Sequence, residues 1–128
     1  MEPAISLEKY EIEELLYSRK LDDSDSELKN LQVELESGLT TDEKNAKVTL
    51  RAKFIDSDSS RKVTATINGY FNVNVDENIH EFVIVNGSAI LFPYLRSAMS
   101  MVSTLDSEDA LLIPTINVLS LLEKKAEE

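Results

Sequence analysis

The tightest constraint on this chain is a run of apolar residues on odd positions that a turn signal fails to interrupt. Val63, Ala65, Ile67, Phe71 and Val73 fall on every second residue, with Lys62, Thr64, Thr66 and Asn72 on even positions among them. Period-two alternation gathers such a set on one face of a strand. The dipeptide Asn68-Gly69 in its middle is a strong hairpin signal. A two-residue turn there would pair Ile67 with Tyr70 and Thr66 with Phe71, so odd positions on one arm would share a face with even positions on the other. Half of the apolar set would then face water. A single strand from about Val63 to Val75 keeps the set together. Gly69 then marks a point where something packs closely or the strand bends.

Three further strands precede it. Ala46, Val48, Leu50, Ala52 and Phe54 alternate with Lys47, Thr49, Arg51 and Lys53, giving a clean half-buried strand over Ala46 to Ile55. Leu31, Val33 and Leu35 alternate with Gln32, Glu34 and Glu36, and residues 38–44 read as a turn. Ile5 to Tyr17 mixes two phases: Ile5, Leu7, Leu15 and Tyr17 are odd, whereas Tyr10, Ile12 and Leu16 are even. Either a helix or a strand with a phase-switching bulge near its middle fits that mixture. The polar stretch 18–30 is long for a tight turn and suggests a crossover over the surface.

From Leu91 to Leu105 the period changes to that of a helix. Leu91, Tyr94, Leu95, Ala98, Met99, Met101, Val102 and Leu105 crowd onto one broad face. The opposite face holds Arg96, Ser97, Ser100, Ser103 and Thr104. Arg96 is the one charged side chain between Gly87 and Leu105 in a chain otherwise rich in charge. Solvated helix faces usually carry Lys and Glu. A face of small hydroxyls suits close approach to another protein surface, so these five residues are the expected oligomer interface; the rival is a solvated serine-rich face. Residues 75–85 read as a link from sheet to helix. Acids in the stretch 106–109 oppose the helix dipole and place a boundary near Leu105. Ala110 to Ile116 reads as extended, because Pro114 keeps its predecessor out of the helical region. Asn117 is positioned to cap a last helix through about Lys124. The expected class is therefore α+β: a four-stranded antiparallel sheet with a long helix and a short C-terminal helix on one face.

At 128 residues the chain is expected to form a single domain, 1–128. A net charge of −11 argues against nucleic acid and anionic membranes, both of which demand a basic footprint. There is no cysteine, hence no disulfide frame and no thiolate chemistry. The start of the chain lacks the basic, then apolar pattern of a signal peptide. No uninterrupted apolar run approaches a membrane span, so the expected compartment is the cytoplasm. The single His80 sits among polar residues. It offers neither a shielded Ser–His–Asp arrangement nor a convincing metal site, and no phosphate-binding or metalloprotease motif is present. No enzyme activity and no cofactor are expected. The apolar surface exceeds what one core needs, which points to a binding protein that self-associates.

One segment carries a resemblance. Ile90, Leu91, Phe92, Pro93, Tyr94 and Arg96, followed by a helix and then Pro114, Ile116 and Asn117, is similar to the matching segments of the SecB family of protein-export chaperones. The likeness covers roughly Ala89 to Leu122. It implies a homotetramer, a dimer of dimers with the long helices between two eight-stranded sheets, that holds unfolded preproteins in apolar surface grooves. Buried apolar area and pairing at strand edges would both bind a client with little regard to its sequence. In that layout the client groove is expected at Phe54, Phe71, Leu111, Leu112, Ile113, Ile116, Leu119 and Leu122. Glu14 matches a contact for the translocase motor SecA. Thr64 and Thr66 stand where the family carries acid, which puts SecA hand-off in doubt more than chaperoning. The alternatives are a SecB-like chaperone guarding the antitoxin of a toxin–antitoxin pair, and an oligomeric scaffold of the same fold without client binding.

Overall fold

The computed structural model of the protein describes residues 3–23, 25, 31–107 and 109–115. Strands β1 (Ile5–Ser18), β2 (Leu31–Leu39), β3 (Asn45–Asp56) and β4 (Arg61–Val73) precede a single long helix, α1 (Ile79–Ser103). The strands form one sheet in the order β1-β4-β3-β2, and every neighbouring pair is antiparallel. This is the α+β architecture that the alternation implied. The expected C-terminal helix lies outside the described residues.

β4 runs unbroken through Asn68-Gly69 and forms a central strand of the sheet. Val63, Ala65 and Ile67 are wholly buried and Phe71 nearly so. β3 supplies the matching row of Ala46, Val48, Leu50, Ala52 and Phe54. The hairpin signal loses because a turn would have cost the burial of half this row, at about 1.5–3 kcal/mol for each large side chain.

β1 resolves its mixed phase with two bulges, one more than the single phase switch anticipated. The register shifts between Leu7 and Lys9 and again between Ile12 and Glu14. Each shift inserts one residue, Glu8 and Glu13, both exposed. Ile5, Leu7, Tyr10, Ile12, Leu15 and Tyr17 consequently all stand opposite odd members of β4, and directly opposed residues share a face. Leu16 alone of the apolar set stands opposite Thr64, on the other face, and is 55% exposed.

α1 begins at Ile79, well before the expected start, so part of residues 75–85 is helix rather than link. Its core-facing residues Val83, Gly87, Leu91, Leu95, Met99 and Ser103 recur every four positions. A four-residue step overshoots the 3.6-residue turn, so this row slants across the helix, which lies obliquely over β1, β4 and β3. The slant narrows the contact. Leu91, Leu95 and Met99 are fully buried, but Tyr94, Met101 and Leu105, expected in the core, are 42%, 69% and 85% exposed. By length and apolarity α1 could cross a membrane; here its apolar row is the second layer of the core.

The connection from β1 to β2 must travel from one sheet edge to the other. Asp25, within it, reaches Lys53 of β3 and Lys62 of β4, with Nζ atoms 2.7 and 2.9 Å from its two carboxylate oxygens. Both lysines project from the sheet face opposite α1, so Asp25 lies over that outer face. The Asp25 side chain is fully buried. Its carboxyl is held far below the usual carboxylate range, first by Lys53 and then by Lys62.

Candidate functional site

Of the described groove residues, all but Leu112 are packed in the core. Phe54, Phe71, Leu111 and Ile113 all belong to the core, with exposures of 8%, 1%, 4% and 6%. Ile116, Leu119 and Leu122 lie outside the described residues. Leu112, at 87% exposed, is the one described member that reaches solvent. Cover on both sides would be needed if all three consecutive apolar residues were buried; the segment instead alternates, with Leu111 and Ile113 inward and Leu112 outward.

That segment belongs to a strap whose described residues, 106–107 and 109–113, run from the end of α1 across the end of the sheet where β4 begins. Among the described residues it makes no backbone-to-backbone hydrogen bond beyond Leu105. Side chains hold it throughout. Asp106 accepts from the Tyr17 hydroxyl at 2.9 Å and from Arg19 Nε at 2.6 Å. The carbonyl of Asp109 accepts from Arg61 Nη1 at 2.8 Å. The Arg61 side chain is 5% exposed, and its Nε also donates to Ser59 Oγ. The backbone of Leu111 is gripped twice by α1: Ser100 Oγ donates to its carbonyl at 2.7 Å, and its N–H donates to Ser103 Oγ at 2.8 Å.

Two of the five expected interface residues, Ser100 and Ser103, therefore hold the chain's own strap. Ser103 is fully buried and also donates to the Ser100 carbonyl at 2.6 Å. Thr104 donates to the Met101 carbonyl, Ser97 is exposed and Arg96 half-buried. A different surface is left open. Tyr94 stacks on Tyr10 of β1, with ring centroids 4.5 Å apart and an interplanar angle of 25°. Ile12, two residues along β1, is 41% exposed. Met101 lies two turns beyond Tyr94 on the same flank of α1, and Leu105 follows a turn later. Together they form an apolar flank beside the edge strand β1. Sequence reasoning placed the helical part of this flank in the core because a helical wheel cannot show how wide a face the sheet will cover.

The outer sheet face is polar and mixed in charge. Thr49 Oγ1 donates to Asn68 Oδ1 at 2.7 Å, and the Tyr70 hydroxyl donates to Glu11 at 2.7 Å. Lys9 and Lys47 lie over the Tyr70 ring. The Tyr70 hydrogen bond leads in holding the Glu11 carboxyl below its ordinary value. Glu14 is exposed on β1 and pairs with Thr66, so no second acid stands opposite it. His80 is exposed near the start of α1, beside an open depression also lined by Glu43, Asp76 and Glu81. Among the described residues no group of three His, Asp or Glu side chains could hold a metal ion.

No protein-family model and no curated protein matches the sequence. Solved structures do match the fold. A SecB-like chaperone from Mycobacterium tuberculosis, in complex with a peptide from an antitoxin, superposes with a TM-score of 0.68 at 10% identity, covering 89% of this chain and 88% of that one. A protein of unknown function from Streptococcus agalactiae superposes with a TM-score of 0.62 at 11% identity, covering 87% and 97%. The chain has a SecB-like fold.

Proposed function

We propose that the protein is a chaperone of the holdase type that binds extended, unfolded polypeptide, and that it works as an assembly of several copies. The observation that carries this reading is the apolar surface left outside the core of a SecB-like fold: Tyr10, Ile12, Tyr94, Met101, Leu105 and Leu112 are each more than 40% exposed. Exposed apolar area binds unfolded chain at about 25 cal/mol per Å² without reading its sequence. The flank along Tyr10, Tyr94 and Met101 borders β1, whose outer edge has no strand partner among the described residues. A second copy laid against it would cover both the apolar flank and the unpaired edge. Assembly into a dimer of dimers is the form expected.

The client class divides two ways. Preproteins destined for Sec-dependent export are one. An antitoxin is the other, and the neighbour solved with an antitoxin peptide favours it. Hand-off to SecA finds little support, because Glu14 faces Thr66 and Thr64 is likewise uncharged. The test is direct. Chemically unfolded client protein is diluted into buffer with and without stoichiometric chaperone, and aggregation is followed by light scattering. Unchanged aggregation would favour the scaffold reading and discard the holdase.

A further inference from the structure

The strap is bound the way a foreign peptide would be. It inserts apolar side chains two residues apart, Leu111 and Ile113, both buried, while Leu112 between them points to solvent. That is the side-chain pattern of an extended strand. Both backbone polar groups of Leu111 are satisfied by side-chain hydroxyls of α1, with Ser100 donating to the carbonyl and Ser103 accepting from the N–H. Buried Arg61 donates to a third backbone group, the carbonyl of Asp109. None of these contacts reads the identity of the strap residue whose backbone it grips. Any extended segment with a bulky apolar side chain at one position and another two residues on presents the same groups.

We infer that the strap is a built-in competitor: residues 109–113 occupy an apolar cleft between the C-terminal end of α1 and the end of the sheet, and an extended client segment with apolar residues two apart takes their place. The inference rests on the holdase reading and says where its client competes. The cleft is closed while the strap is down, so apolar surface is not offered to the solvent. Opening it removes no rung of the sheet and no helical hydrogen bond, because among the described residues side chains alone fasten the strap. Asp106, fixed by Tyr17 and Arg19, stays as the root from which it swings. The clamp therefore sets client affinity: the fraction of molecules with the strap lifted scales the apparent binding constant.

The experiment uses the full chain and a permanently unfolded probe, reduced and carboxymethylated lactalbumin. Hydrogen exchange at the Leu111 amide is measured free and at saturation. Displacement should speed that exchange at least about tenfold while the amides of Leu50 and Ile67 keep their protection. Ile113→Val trims one anchor of the strap and leaves the cleft itself unchanged, so it should tighten probe binding by about twofold to tenfold. Ile67→Val, an equal trim in the sheet core away from the strap, should bind as the parent does. Probe binding with Leu111 still protected, or no gain in Ile113→Val, overturns the competitor and leaves the holdase standing. Probe that binds neither protein overturns the holdase reading and the strap inference together. Should Ile113→Val fail to fold, the exchange measurement on the parent protein decides alone.

Discussion

Leu91 of α1 sits directly on Gly69 of β4: a Cβ at position 69 would lie 2.5 Å from Leu91 Cδ2 and 2.7 Å from its Cδ1. The glycine in an otherwise regular central strand is the seat of the helix. A second close approach answers it from the other side, where a Cβ on Gly87 would come 2.9 Å from Val48 Cγ2. With these two side chains missing, α1 settles close enough to bury Leu91, Leu95 and Met99 completely.

Gly69→Ala should destabilise the fold by about 1–3 kcal/mol, since the buried Leu91 cannot move aside freely. Leu91→Ala alone should cost about 2–5 kcal/mol by leaving a cavity. The double variant should be less damaging than the sum, because the new methyl partly fills the space that Leu91 vacates. Urea unfolding of the four proteins checks this; strict additivity would show that the two residues do not share that space.

The strap makes a sharp contrast between neighbours. Leu112→Asp should leave the melting temperature within about 2 °C of the parent, because an exposed substitution changes stability by roughly 0.5 kcal/mol or less. Ile113→Asp should lower it severely by burying a charge without a partner. If Leu112→Asp also weakens the suppression of client aggregation, its side chain belongs to the client surface. If suppression is untouched, Leu112 is no part of that surface.

Self-association is expected to run through the flank beside β1 rather than through the serines. Tyr10→Glu and Met101→Glu should each reduce the mass seen by light scattering at micromolar concentration, since each puts a charge into a surface that excludes water on assembly. Ser97→Glu, on the hydroxyl face, should leave the mass unchanged. The reverse pattern would restore the serine face as the interface.

Acid should loosen the strap. The Asp106 carboxyl is lowered from 3.8 to about 2, by Arg19 first, then by the Ser107 N–H and the Tyr17 hydroxyl. A depressed folded-state value stabilises the fold fully above 3.8, and that contribution fades as the pH falls from there through about 2. Asp25 acts in the same direction, with its carboxyl lowered further still. The urea midpoint should therefore drop between pH 4 and pH 2. In Asp106→Asn it should start lower at neutral pH and fall less steeply; parallel curves would show that Asp106 is not a source of the acid sensitivity.

The sequence by itself determined the sheet. Alternation in β3 and β4 is a local property, and the cost of splitting the odd row outweighed a strong turn dipeptide, so the continuous strand was legible, while the choice at Gly69 between a close contact and a bend was settled by Leu91. The long helix was legible in its second half, but not its start at Ile79, because residues 79–90 carry a polar admixture that reads as a link. Two things only the tertiary structure decided. One is how much of the helix the sheet covers: the wheel assigns a residue to a face, but the oblique crossing sets the width of that face, and it left Tyr94 and Met101 outside. The other is where the polar groups of 106–113 find their partners. Ser100 and Ser103 are eight or more residues away from Leu111 along the chain, and Arg61 is far more distant from Asp109. Hydrogen bonds formed by chain return leave no periodic trace, so nothing in the helical pattern distinguished Ser100 and Ser103, which hold down the protein's own strap, from the other hydroxyls of that face.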